Sequence, residues 1–132
     1  MTGDDFIALA DKLGSNQDEA SLRSAVSRAY YGAFHLAREF LEAIRRPVPR
    51  NVNAHVEVAR QLQRSGQRDA YRAGSLLGDL HSKRIKADYR LDDQRVGTIP
   101  FTELCIETAR EIQSAIKACH TEPARGEIQS RL

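Results

Sequence analysis

The chain has 132 residues, 41% hydrophobic and 29% charged, with 20 Lys and Arg against 18 Asp and Glu. That is the composition of one globular domain with a single core. No apolar run approaches the roughly 20 residues of a membrane span, and the acidic start Met1-Thr2-Gly3-Asp4-Asp5 lacks the basic region of a signal peptide. A cytoplasmic protein with no membrane partner is expected.

The charge is unevenly spread. Residues 1–19 hold one Lys and five acids, a net −4, and residues 20–95 hold thirteen Arg and two Lys against eight acids, a net +7. The remainder holds four bases and five acids, so the three regions sum to +2. Sixteen of the twenty bases are Arg, whose planar fork matches phosphate oxygens. A basic middle points to an anionic partner such as RNA or a nucleotide. The plainer reading is Arg that solvates helix faces.

In chain order, residues 4–13 read as a short amphipathic helix with Phe6, Leu9, Ala10 and Leu13 on its apolar face. Gly14-Ser15-Asn16 ends it, and Ser15 and Asp18 have capping-box-like spacing for the next helix. A long central helix follows from about Gln17 to Arg45, roughly 43 Å at 1.5 Å per residue. Its apolar stripe is Leu22, Val26, Ala29, Ala33, Leu36, Phe40 and Ile44. Ala25, Ala29, Gly32 and Ala33 would let another helix approach closely, which suggests a dimer contact there. Pro47 and Pro49 stop the helix.

Asn53 is placed to cap a third helix to about Ser65, with Val56, Ala59 and Leu62 inward. A fourth spans about Arg68–Asp88, with Tyr71, Leu76, Leu77, Leu80 and Ile85 as apolar candidates and Gly74 and Gly78 on one face. Residues 91–98 form a polar loop. Pro100 suits the first turn of a last helix that runs to about Ala118 and buries Leu104, Ile112 and Ile116. Residues 1–120 make the domain, and residues 121–132 read as a flexible tail. Cys105 and Cys119 lie about 21 Å apart along one helix, too far for a disulfide. Neither a metal nor a cofactor is expected.

Two stretches could carry chemistry. On the central helix, Arg28 and His35 are two turns apart and share a face. Tyr30 and Tyr31 point about 100° apart, so Tyr30 reads as core and Tyr31 lies nearer the Arg28/His35 face. On the fourth helix, His81, Arg84 and Asp88 share a face, Tyr89 follows at its end, and Lys83, Lys86 and Arg90 complete the densest basic run. This second stretch is either a phosphate site or an Arg84–Asp88 surface pair with solvated lysines. His55 reads as a surface or capping residue, and His120 as a partner of its helix dipole.

Ser27-Arg28-Ala29-Tyr30-Tyr31-Gly32-Ala33-Phe34-His35, followed later by Arg84-Ile85-Lys86-Ala87-Asp88-Tyr89, resembles the HEPN superfamily. The similarity is to the small prokaryotic subgroup with an S-R-x-Y-Y-x-x-F-H helix and a later R-x-x-A-D-Y, and it covers about residues 17–120. The resemblance implies an all-α, up-down bundle of four to five helices that forms a homodimer. Many members are metal-independent endoribonucleases, often toxins of toxin–antitoxin or defence systems, and a nucleotidyltransferase-type antitoxin is the partner this implies. Their R-x(4–6)-H motifs meet across the dimer interface.

Catalytic members carry a His after the later Arg, where this chain has Asp88 and Tyr89. Catalysis would then rest on His35 as general acid or base, with Arg28 and Arg84 stabilising the pentacovalent phosphate. Tyr31, His81, Lys83, Lys86, Asp88, Tyr89 and Arg90 would bind RNA or nucleotide. The alternative is a catalytically inactive HEPN partner module that binds a nucleotidyltransferase or another protein. A helical adaptor with no nucleic-acid role is the third reading.

Overall fold

In the computed structural model, residues 1–132 form six helices and no strand. They are α1 (Gly3–Gly14), α2 (Glu19–Ala43), α3 (Ala54–Arg64), α4 (Arg68–Tyr89), α5 (Ile99–His120) and α6 (Ala124–Arg131). Helix α2 is the spine, with α1, α3, α4 and α5 all packed against it. Its expected stripe is buried at Leu22, Val26, Ala29, Ala33, Phe40 and Ile44, but so are Ala25, Tyr30, Ala37 and Leu41 on its flanks. Enclosed by four others, the helix keeps only a narrow, half-buried stripe through Arg28, Tyr31, His35 and Arg38 along much of its length.

Local chemistry fixes the ends of α2. Asp18 accepts a hydrogen bond from the Ser21 N–H at 2.9 Å, as an N-cap should. At the other end the N–H of Arg45 donates to the Glu42 carbonyl at 3.0 Å, and that of Arg46 to Leu41 at 2.8 Å. This is a Schellman ending. Arg45 takes the left-handed position with φ 64°, where glycine is the usual occupant.

Helix α1 lies along α2, and glycines set the approach. A Cβ on Gly32 would sit 2.8 Å from the Gly3 carbonyl oxygen and 2.7 Å from Ile7 Cγ1, and one on Gly3 would sit 2.6 Å from the Gly32 carbonyl oxygen. At the other end of α1, Gly14 faces Ile106 of α5, 2.9 Å from a would-be Cβ. Gly32 therefore seats α1 of the same chain, Ala25, Ala29 and Ala33 are fully buried within it, and a dimer contact does not use them. The buried line of α1 is Gly3, Ile7 and Ala10, one residue round from the expected face. That rotation leaves Phe6 half-buried beside His35.

Helix α3 buries Ala54, Val58 and Leu62 and leaves Val56 exposed, because only one side of it meets α4. Gly74 admits α3 closely, with the Ala59 carbonyl oxygen 2.7 Å from a would-be Cβ, whereas Gly78 faces open space. Tyr71, Ile85 and Leu104, expected inward, are exposed. The 91–98 turn is held by Arg23, which is buried and donates to the carbonyls of Ala87 at 3.0 Å and Asp93 at 2.9 Å.

The expected tail carries α6. Ile128 is fully buried, and Arg125 and Arg131 donate to the carbonyls of Ala43 and Ser65. One apolar anchor and two arginine clasps dock a segment whose composition reads as polar.

Candidate functional site

The two motif stretches meet. Ser27 Oγ on α2 donates to Asp88 Oδ2 on α4 at 3.3 Å, and Arg84 Nη1 donates to the same oxygen at 3.1 Å. The Arg84 guanidinium lies 5.7 Å from the Tyr30 ring centre and 5.3 Å from that of Tyr31. Arg28 lies 5.5 Å from the Tyr31 ring and 5.4 Å from Phe6. The Tyr31 ring thus has a guanidinium from each motif against it, contacts worth about 0.5–2 kcal/mol each. His35 stacks on Phe6 with ring centres 5.3 Å apart, so Arg28 and His35 share the face their spacing predicts. Arg84 is buried, and its Nε has no hydrogen-bond partner.

Three imidazoles, His35, His55 and His81, gather here. His55 and His81 stack in parallel at 4.7 Å, and His81 also stacks on Tyr30 at 5.1 Å. Each ring has one nitrogen committed to a donor. Arg38 Nη2 lies 3.2 Å from His35 Nδ1, and Arg84 Nη2 lies 3.4 Å from His81 Nε2. A guanidinium can only donate, so both nitrogens accept. Tyr30 Oη lies 2.6 Å from His55 Nδ1, which is its only hydrogen-bond partner. A fully buried hydroxyl that accepted there would leave its own hydrogen unsatisfied, so Tyr30 donates.

The free nitrogens, Nε2 of His35 and His55 and Nδ1 of His81, therefore carry the protons of the neutral rings. Burial holds all three pKa values below the ordinary histidine value. Arg38, Arg50 and Arg28 reinforce this at His35; Arg84, Arg38 and His35 at His55; and His55 and Arg84 at His81. Burial pushes the Tyr30 phenol far above its ordinary value. At neutral pH the cluster presents N–H and guanidinium donors, with no free imidazole lone pair. Such an arrangement can donate hydrogen bonds to an anion.

The expected site residues divide. Arg28, Tyr31, His35, His81, Arg84 and Asp88 come together. Lys83 does not, since its charge is felt at Cys105 on α5. Lys86 lies beside Asp93, Arg95 and Phe101 at the 91–98 turn. Tyr89 and Arg90 are exposed at the end of α4. On a helix, positions 81, 84 and 88 share a face that 83, 86 and 90 do not. Asp88 Oδ2 accepts from both Ser27 and Arg84 and so orients Arg84.

Sequence reasoning passed over His55, Arg38 and Arg50. Arg38 is one turn beyond His35 on the same helix face, a legible signal. His55 and Arg50 reach the cluster only because the chain turns back after α2. Comparison with family models, curated proteins and solved structures finds no match.

Proposed function

We propose that this chain is a HEPN-like module that binds RNA or a nucleotide through the arginine–histidine cluster. The observation that carries the reading is that His35 and His55, whose Nδ1 atoms are taken by Arg38 and Tyr30, line one cleft with Arg38 and Arg50 and no carboxylate. The test is fluorescence anisotropy with single-stranded RNA across a salt series. Affinity should fall steeply with salt as bound counterions are released. Arg28→Ala should weaken binding where Arg68→Ala, at the far end of α4, does not. Equal binding by both variants would reduce the arginines to solvated surface.

One observation favours metal-independent ribonuclease action: His35 shares its face with Arg28, so an imidazole and a charge-stabilising group are adjacent. To act as base, His35 must release Arg38 from Nδ1. His35→Ala should then abolish RNA cleavage in EDTA even at RNA concentrations that saturate the variant. A pure protein that cuts no RNA, with or without divalent metal, leaves the binding module as the function.

For the partner, we propose a second copy docked on α4. Tyr71, Ser75, Gly78, Ser82, Ile85 and Tyr89 alternate by fours and threes along one face of the helix, with Tyr71 54%, Ile85 39% and Tyr89 72% exposed. Reversed about its midpoint, the seam sets Tyr71 against Tyr89 of the partner subunit, Ser75 against Ile85 of the partner subunit and Gly78 against Ser82 of the partner subunit. That is the self-complementarity a two-fold contact requires. Gly78→Arg should give a monomer by sedimentation. A wild-type chain that stays monomeric at every concentration rules the contact out.

A further inference from the structure

Resting on the reading that the partner is RNA or a nucleotide, we infer that a terminal phosphomonoester is the group held, in the cleft between α2 and the start of α3. This cleft, about 330 Å³, is lined by His35, Arg38, Arg50, Asn51 and His55 together with Tyr31, Phe34 and Ala54. No carboxylate lines it. The neighbouring cleft of about 280 Å³ shares His35, Arg38 and Arg50 but adds Glu39 and Glu42, which repel an anion. The two clefts thus sort by charge, and the acid-free one is the receptor.

The donors match one phosphate class. His35 and His55 each offer Nε2–H, because Arg38 and Tyr30 occupy their other nitrogens. Two guanidiniums and the Asn51 amide bring the donor groups to five. Asn53 makes no side-chain cap on α3, and the Ala54 N–H is already taken by the Asn51 carbonyl at 3.1 Å, so the helix end adds its dipole and not an Ala54 donor. A diester offers one charge and two free oxygens. A terminal phosphate offers three strong acceptor oxygens and about −1.5 to −2 charge near neutral pH, which fits this donor set better.

Binding should leave both rings neutral. The one atom of each that could take a proton is Nδ1, which accepts from Arg38 at His35 and from Tyr30 at His55. His35 faces Arg28, Arg38 and Arg50, and His55 faces Arg38, Arg84, His35, His81 and Tyr30. The nearby carboxylates are Glu39 and Glu42, which line the neighbouring cleft, and Asp88, with Glu42 paired to Arg50 at 3.1 Å and Asp88 paired to Arg84 at 3.1 Å. The surrounding cations oppose a further positive charge on either ring.

The test is calorimetric titration of the full chain near neutral pH, in two buffers of different ionisation enthalpy. The probes are inorganic phosphate, AMP, an RNA hexamer with a 5′-phosphate and the same hexamer with a 5′-hydroxyl. Removing the 5′-phosphate should weaken the hexamer at least about tenfold, the worth of one charge-assisted hydrogen bond. Arg50→Gln, at an exposed side chain, and His55→Gln, which still offers Tyr30 an acceptor, should each weaken the phosphorylated hexamer by a similar factor. Each should change the hydroxyl form by less than it changes the phosphorylated one. The buffer pair should reveal no proton taken up by the protein, because Arg38 and Tyr30 keep the two Nδ1 atoms occupied. AMP as tight as the phosphorylated hexamer makes the ligand a free nucleotide, and a tighter hexamer makes it an RNA end; both support the cleft. Equal binding of the two hexamers overturns the cleft while RNA binding stands. No binding of any probe overturns both.

Discussion

The Tyr30 hydroxyl donates to Nδ1 of His55 across 2.6 Å, tying the middle of α2 to the first turn of α3. This bond fixes which nitrogen of His55 keeps its proton. Tyr30→Phe should cost about 0.5–1.5 kcal/mol, the net worth of one hydrogen bond. It should also release the tautomer, and the 15N shifts of His55 report that. Wild-type shifts showing a protonated Nδ1 would refute the assignment.

Stability should depend on pH through three histidines. Burial and neighbouring arginines depress the folded pKa values of His35, His55 and His81 below the ordinary value, so the unfolded chain takes up protons first as pH falls. Their contribution is fully present above the unfolded pKa of about 6.5 and is lost progressively as pH drops toward the folded values. The Tm should fall between about pH 7 and 5. Replacing all three with Gln should flatten that limb of the curve, and a slope that survives the replacement would point to other groups.

Gly32 sits where α1 crosses, with the Gly3 carbonyl in the way of any Cβ. Gly32→Ala should destabilise by about 1–3 kcal/mol through overpacking, lowering the urea midpoint with an unchanged slope. Its oligomeric state should match the wild type, because the contact lies within one chain. A dissociated dimer would show that α2 does face a partner.

Arg45 holds the left-handed position at the end of α2 with φ 64°. Glycine there removes a cost of about 1–2 kcal/mol. Arg45→Gly should raise the Tm by a few degrees, and a fall would mean that the Arg45 side chain contributes a contact of its own.

Arg23 clasps the turn after α4 through the carbonyls of Ala87 and Asp93. Arg23→Met fills the space without donors. Each stranded carbonyl costs about 1–3 kcal/mol where it stays dry. Amide exchange should accelerate over residues 90–96, ahead of global unfolding. Protection unchanged in that turn would show that the backbone holds it alone.

The sequence by itself determined the helical architecture. Apolar residues at helical spacing, the Gly14-Ser15-Asn16 break, Pro100 and the prolines after Ile44 place α2, α3, α4 and α5 to within a few residues because these are local signals. The shared face of Arg28 and His35, and that of His81, Arg84 and Asp88, was legible for the same reason. Only the tertiary structure decided which faces are covered. Gly32 reads as an open contact until α1 fills it, Tyr71 and Ile85 read as core until no helix comes to meet them, and α6 reads as a tail until Ile128 finds its pocket. The protons of the site were settled the same way. Whether His55 is a cap or a partner of Tyr30 depends on how far the chain turns back between Arg45 and Asn53. No residue type states that distance; it is set when α3 packs on α4 and carries His55 beneath His81.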